Sequence, residues 1–209
     1  MTFKLPTIYP ITDRQISGLT HLEQARRLID GGARLIQLRE KNGTSREFFE
    51  AAAETVEYAN AQGVSIIIND RVDIAVAVNA AGVHLGQEDV PPAKARLLLG
   101  GKAIIGYSTH TLEQARHAAT LPIDYIAFGP VFSTKTKINP DAVVGLDGVR
   151  RVRDAIGDIP LVAIGGIDLD SLADVLFAGA DSVAMVSAVI ADAANIAATL
   201  RDLTKRSAR

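Results

Sequence analysis

Short apolar runs of four or five residues alternate along the chain with longer stretches in which apolar positions recur every three or four residues. The short runs, at 7–11, 35–38, 65–68, 82–85, 103–106, 125–128, 161–164 and 182–185, read as strands. Between them, 21–30, 46–61, 92–99, 112–119, 146–156, 169–178 and 196–204 carry the period of amphipathic helices, with a shorter helical stretch at 72–78. Strands that alternate with helices predict right-handed crossovers and a parallel sheet. Gly31-Gly32, Gly63, Gly100-Gly101 and Gly179 stand where helices should end, and Ser45, Thr111 and Asp168 where helices should begin. Eight such units without a linker predict one (β/α)8 TIM barrel over residues 1–209. The competing architecture is an open doubly wound sheet, which normally carries a glycine-rich turn after its first strand. Asp13-Arg14-Gln15 occupies that place, and neither GxGxxG nor GxxxxGK[ST] occurs.

Barrel chemistry gathers at the carboxyl ends of the strands, and those ends are strongly polar here. The second strand runs out through Gln37-Leu38-Arg39-Glu40-Lys41. Residues two apart share a face of a strand, so Gln37 and Arg39 point the same way. A guanidinium on a covered strand face calls for an anion, because an unpaired buried charge is very costly. The segment therefore reads as a phosphate or diphosphate seat, or else as a salt-bridge cluster with Glu40. The third strand ends in Asn69-Asp70 and the fourth in Gln87-Glu88-Asp89. Neighbouring strands lie about 5 Å apart, so Asp70 and Asp89 can converge on Mg2+, which binds through one or two carboxylates plus phosphate oxygens and water. The alternative pairs Asp70 with Arg71 and makes Asp89 a cap for the helix at Pro91-Pro92.

Gly165-Gly166 after the seventh strand, with Val186-Ser187 after the eighth, stand where barrels commonly hold a monophosphate. Glycine lets backbone N–H groups approach phosphate, and a helix start after Ser187 would add its dipole. The longest connection, 129–145, has no regular period and carries Ser133, Thr134, Lys135, Thr136 and Lys137. Connections of that length are commonly functional, so it reads as a lid that touches an anion, or else as a merely solvated loop. His84, inside the fourth strand, reads as a hydrogen-bonded core residue, and His110 follows the fifth strand toward the mouth. His21 and His117 read as helix-surface residues.

Composition narrows the function classes. The chain is 48% hydrophobic and 22% charged, an ordinary globular balance, with a formal net charge of −2. That charge argues against a broad nucleic-acid surface. With 5% aromatics and no Trp, stacked-ring gripping of bases is not expected. The lack of Cys excludes disulfides, thiolate nucleophiles and Cys-ligated zinc, and fits a reducing cytoplasm. No signal-peptide pattern or bilayer-length apolar run is seen, so a cytoplasmic protein without membrane partners is expected.

Seven segments carry a family resemblance from end to end. They are Tyr9-Pro10-Ile11-Thr12-Asp13, Gln37-Leu38-Arg39-Glu40-Lys41, Ile68-Asn69-Asp70-Arg71-Val72-Asp73-Ile74-Ala75 and Gly82-Val83-His84-Leu85-Gly86-Gln87-Glu88-Asp89. Ile105-Gly106-Tyr107-Ser108-Thr109-His110-Thr111, the run from Phe128 to Lys137 and Ala163-Ile164-Gly165-Gly166-Ile167 complete the set. In this order they resemble thiamine phosphate synthase. The resemblance implies a Mg2+-dependent transferase that joins hydroxymethylpyrimidine diphosphate to hydroxyethylthiazole phosphate, giving thiamine monophosphate and diphosphate by a dissociative substitution. It implies that Gln37, Leu38, Arg39, Glu40, Lys41, Asn69 and Lys137 hold the pyrimidine diphosphate and that Ser108 meets the pyrimidine. Asp70 and Asp89 would bind magnesium. Thr134, Thr136, Gly166, Val186 and Ser187 would hold the thiazole phosphate, with Lys135 beside them. Arg39, Lys41, Ser108 and Lys137 would carry the catalytic burden. Ala81 departs from the Asp common before the Gly-Val-His run, and Ser133 and the stretch around Val143 lack prolines often seen there.

Three other functions compete. A thiazole tautomerase uses the same barrel, but such relatives tend to lose the diphosphate and metal residues, which are present here as Lys41, Asp70 and Asp89. A Schiff-base aldolase needs a lysine in an apolar pocket, whereas Lys41 and Lys137 lie among charges. A phosphate-ligand sensor would bind without turnover. The partners expected are small-molecule substrates and no nucleic acid, with a homo-oligomer left open.

Overall fold

A computed structural model describes residues 4–134, 136 and 141–207. Among these, β1 (Ile8–Thr12), β2 (Leu35–Leu38), β3 (Ser65–Asn69), β4 (Gly82–Leu85), β5 (Ile104–Thr109), β6 (Tyr125–Phe128), β7 (Leu161–Ile164) and β8 (Ser182–Met185) form a closed parallel barrel in sequence order. Ile8, Tyr9 and Pro10 of β1 pair with Val183, Ala184 and Met185 of β8 and so close the ring. Around it run α1 (Arg14–Ser17), α2 (His21–Asp30), α3 (Ser45–Ala61), α4 (Val72–Ala77), α5 (Pro92–Leu99), α6 (Leu112–Ala118), α7 (Gly145–Ile156), α8 (Leu172–Phe177), α9 (Ser187–Ile190) and α10 (Ile196–Ser207).

Strand alternation divides the core in two. One face of each strand packs on the helices, where Ile36, Leu38, Ile66, Ile68, Val83, Leu85, Ile105 and Ile126 join one large cluster. The other face fills the barrel with Tyr9, Ile11, Leu35, Ile67, Tyr125, Ala127, Val162 and Ala184. Two glycines make that interior possible. A Cβ on Gly106 would lie 2.0 Å from Cζ of Tyr125, and one on Gly82 would lie 1.9 Å from the Ile104 carbonyl oxygen. Space given up on β5 is taken by the Tyr125 ring, and that on β4 by the close approach of the Ile104 backbone.

The floor of the barrel carries the same device twice. Arg96 on α5 pairs with Asp124 at 2.7 Å and also donates to the carbonyls of Gly100, Ala103 and Pro122. Asp124 Oδ2 in turn accepts from the Ile105 N–H at 2.7 Å. Arg153 on α7 pairs with Asp181 at 2.6 Å and donates to the carbonyls of Gly157, Ile159 and Gly179, while Asp181 accepts from Leu161 N at 2.8 Å. Each clamp ties a helix to the start of a strand, away from the mouth.

Several boundaries differ from the sequence reading. Thr44, not Ser45, caps α3, because Thr44 and Glu47 form a reciprocal capping box. β5 extends to Thr109, three residues beyond its apolar run, since barrel pairing with Ala127 and Phe128 carries polar residues along. Asp168 opens a turn that leads into α8 rather than capping it directly. The one-turn helices α1 and α9 are too short to show a period. His21 is not a surface residue: it is fully buried, 2.7 Å from the Thr12 hydroxyl through Nδ1.

Candidate active site

The carboxyl ends of the strands surround a cavity of about 1020 Å³. Its lining includes Gln37, Arg39, Lys41, Asn69, Asp70 and Asp89 on one side. The other side is formed by Ser133, Thr134, Thr136, Gly166, Val186 and Ser187.

On the first side each cation already faces a carboxylate. Arg39 pairs with Asp13, the residue that also caps α1 through the N–H groups of Gln15 and Ile16. Lys41 Nζ lies 2.5 Å from Asp70 Oδ2. Asp70 follows β3 with φ +63°, a left-handed conformation that Asp tolerates better than most residues, and its N–H donates to the His84 carbonyl at 2.8 Å. The Asp89 carboxylate accepts from the Gly86 N–H at 2.6 Å. Burial pushes the Asp89 carboxyl up, the Gly86 N–H and Lys41 pull it down, and the charge and hydrogen bond of Asp70 add to the rise. Neither alternative anticipated for these acids is found. Arg71 makes its ion pair with Asp73 at 2.5 Å, and α5 has no side-chain cap. The Nδ2 of Asn69 is buried at the cavity wall without a hydrogen-bond partner among the described residues, a donor that an entering ligand oxygen would satisfy.

On the far side the loop after β6 returns against β7. The N–H groups of Val131 and Phe132 donate to the carbonyls of Ile164 and Gly165, each at 2.9 Å. Gly166 has φ +66°, and a Cβ there would lie 2.4 Å from the Ser133 carbonyl oxygen, so glycine alone permits this approach. The Thr134 hydroxyl accepts from the Thr136 N–H at 3.2 Å. His110 Nδ1 donates to the Gly129 carbonyl at 2.6 Å at the start of the loop, and lies 3.5 Å from Asp141.

Between the two sides runs a row of polar groups that crosses the barrel interior. Gln37 Nε2 donates to the Tyr9 hydroxyl at 3.1 Å, and the Tyr9 and Tyr125 hydroxyls are 3.1 Å apart. Tyr125 is 2.9 Å from His84 Nδ1, and His84 Nε2 is 2.8 Å from Ser108 Oγ. The His84 and Tyr125 rings stack with centroids 5.5 Å apart. Burial lowers His84 to about 4, so its ring is neutral at physiological pH, and burial raises both tyrosines.

A family model described as thiamine monophosphate synthase matches residues 8–189. The chain belongs to that family. It is 45% identical over 197 residues to the thiamine-phosphate synthase of Chloroflexus aurantiacus, covering 94% of this chain and 90% of the relative. It is 44% identical over 196 residues to that of Koribacter versatilis, covering 90% and 91%. The solved thiamine phosphate pyrophosphorylase from Pyrococcus furiosus superposes with a TM-score of 0.86 at 36% identity, covering 97% of this chain and 95% of that one. Membership makes the chain a transferase of thiamine biosynthesis.

The barrel brings most of the anticipated family residues to one mouth, with two kinds of exception. The side chains of Leu38 and Glu40 turn away, because alternation along β2 sends them to the helix layer. Leu38 is fully buried in the outer core. Glu40 lies 3.4 Å from Arg14 and 3.6 Å from His21. Burial works to raise its carboxyl, but the N–H groups of Asn42 and Gly43 and the charges of His21 and Arg14 outweigh that and leave it below its ordinary value. Lys135 and Lys137 lie outside the described residues. Sequence reasoning missed Asp13, Tyr9 and Tyr125. A tyrosine at an inward position of both β1 and β6 was the available signal. Ala81 lies at the floor of β4, where its backbone alone pairs with Ile66 and Ile104.

Proposed function

We propose that the chain joins hydroxymethylpyrimidine diphosphate to hydroxyethylthiazole phosphate, releasing diphosphate and forming thiamine phosphate, in a cytoplasmic setting. The observation that supports this best is one cavity with a charged wall at β2–β4 and a glycine-and-hydroxyl wall at β6–β8, the two anion seats that a two-substrate condensation requires. The carbon–oxygen bond to diphosphate breaks with its electron pair leaving on oxygen. The thiazole nitrogen then gives its pair to the methylene carbon, and no protein nucleophile or net proton transfer is required.

The chain's own residues position and neutralise. Arg39 and Lys41 meet the leaving diphosphate, Asn69 Nδ2 offers its free N–H, and Ser108 meets the pyrimidine. Thr134, Thr136, Gly166, Val186 and Ser187 seat the thiazole phosphate, while Lys137 would join Arg39 and Lys41 at the diphosphate. Because α9 is a single turn, backbone N–H groups and not a long-helix dipole serve that seat.

A magnesium ion fits the donor set. Arg39 and Lys41 supply two positive charges against the three carboxylates of Asp13, Asp70 and Asp89, so a diphosphate needs a further cation beside it. Asp89, whose ionisation the neighbouring Asp70 makes more costly, is relieved by a hard cation, which takes its other ligands from phosphate and water. Asp70 and Asp89 would hold it, and it would supply charge neutralisation of the leaving group.

Incubating the purified chain with both phosphorylated precursors and magnesium should give thiamine phosphate and diphosphate in equal amounts. No product would overturn the assignment, and undiminished product in excess chelator would remove magnesium from it.

A further inference from the structure

The polar row across the barrel has a direction. Gln37 Nε2 can only donate, so the Tyr9 oxygen accepts from it. Tyr9 is fully buried, and among the described residues its other hydrogen-bond partner is the Tyr125 hydroxyl. Its proton therefore goes to Tyr125, since a buried hydroxyl without an acceptor costs as much as several ordinary hydrogen bonds. The Tyr125 oxygen accepts in turn and turns its own proton to His84 Nδ1, 2.9 Å away. A neutral imidazole that accepts at Nδ1 carries its proton on Nε2, and that proton points at Ser108 Oγ, 2.8 Å away. With its oxygen engaged as acceptor, the Ser108 hydroxyl has its proton left for the cavity that Ser108 lines.

We infer that Tyr9, Tyr125 and His84 are positioning residues that polarise Ser108 into a fixed hydrogen-bond donor, and so select a ligand that presents an acceptor there. The inference rests on the proposed substrate pair only in naming that acceptor, which is a ring nitrogen of the aminopyrimidine and not its exocyclic amino group. None of the three positioning side chains needs to touch the substrate. Each acts through the next, and Tyr9 and Tyr125 are buried by the same inward packing that fills the barrel. The Gly106 gap is part of the device, because any larger residue would displace the Tyr125 hydroxyl.

Two measurements test it. In the intact, unliganded chain labelled with ¹⁵N-histidine, the His84 ring should show a protonated Nε2 and a bare Nδ1 at neutral pH. A proton on Nδ1 would reverse the row and overturn the inference without bearing on the activity. The second measurement is a cycle of Tyr125→Phe and Ser108→Ala read as kcat/KM for the pyrimidine diphosphate. Each single variant should lose roughly 3- to 30-fold, the scale of one buried hydrogen bond, with KM for the thiazole phosphate unchanged. Tyr125→Phe should have no further effect beyond about twofold once Ser108 is Ala. Multiplying losses would show that Tyr125 does not act through Ser108. A wild-type chain with the expected tautomer and no turnover would instead defeat the functional reading alone.

Discussion

Lys41 and Asp70 meet across the gap between β2 and β3, with the ammonium nitrogen 2.5 Å from the carboxylate oxygen. The pair joins the leaving-group wall to the acid pair, because Asp70 also stands beside Asp89. A lysine held in this way is aimed before any ligand arrives, and the entering diphosphate exchanges one anion for another at its head. Positioning of this kind lowers the reorganisation that accompanies charge development.

Replacing Asp70 separates charge from backbone. At φ +63° a bulky residue would strain the turn, whereas Asn adopts that conformation readily. Asp70→Asn should therefore keep its circular dichroism and melting profile while magnesium-dependent turnover falls by about 100-fold or more, the scale for losing one charge-stabilising group. Asp89→Asn should do the same, since an Asn oxygen can still accept from the Gly86 N–H. Steady-state rates across a magnesium titration provide the check, and full activity in either variant would exclude that acid as a ligand.

Gly166→Ala acts on the opposite wall. The added methyl would lie 2.4 Å from the Ser133 oxygen at a positive φ, so the loop after β6 must move outward. KM for the thiazole phosphate should rise by about 10-fold or more, with KM for the pyrimidine diphosphate little changed, since a displaced backbone donor leaves a phosphate oxygen without its partner. Equal effects on both substrates would mean that the two seats are not separate.

How far such a site can be read from the sequence depends on what carries the information. The strand ends announced themselves because Gln37, Arg39, Asn69, Asp70 and Asp89 are polar residues within or just beyond the ends of apolar runs, and polarity at a covered position is rare unless it is used. Facing was legible for the same reason, and alternation along β2 already separates Arg39 from Leu38 and Glu40. The Tyr9–Tyr125 contact joins residues far apart in sequence, and the apolar pattern treats a tyrosine as core. Asp13 was hidden as an ordinary turn residue, since nothing local shows that Arg39 will return to it. His21 looked exposed because a polar residue at a helix start usually is, yet the Thr12 hydroxyl and Glu40 await it at the top of β1 and β2.

The floor clamps should control stability and leave chemistry alone. Arg153→Ala removes donors to three backbone carbonyls and an ion pair with Asp181. Asp181 is half exposed, so the pair itself contributes little, and the carbonyls left without a donor dominate. A loss of about 2 kcal/mol is expected, which for a chain of this size lowers the melting temperature by about 4–8 °C. Calorimetry reads that shift, while kcat and both KM values at 25 °C should stay within about twofold of wild type. A large fall in kcat would show that the floor transmits strain to the mouth.

Two buried histidines set the acid limit of the fold. Burial holds His84 down to about 4 from an ordinary 6.5, and burial also lowers His21, with Glu40 only partly opposing it. An unfolded chain takes up these protons near pH 6.5 and the folded chain does so only at lower pH. Between those limits the unfolded state binds more protons, so stability falls as pH falls. The contribution is complete above about pH 6.5 and declines from there toward pH 4, by about 1.4 kcal/mol per pH unit for a single such group. Urea titrations of the metal-free chain at pH 7.5, 6 and 5 should show the midpoint dropping in that order. His21→Gln, which can keep a hydrogen bond to Thr12 without taking a proton, should flatten part of the slope. A midpoint unchanged between pH 7.5 and 5 would mean that neither ring is held neutral by the fold.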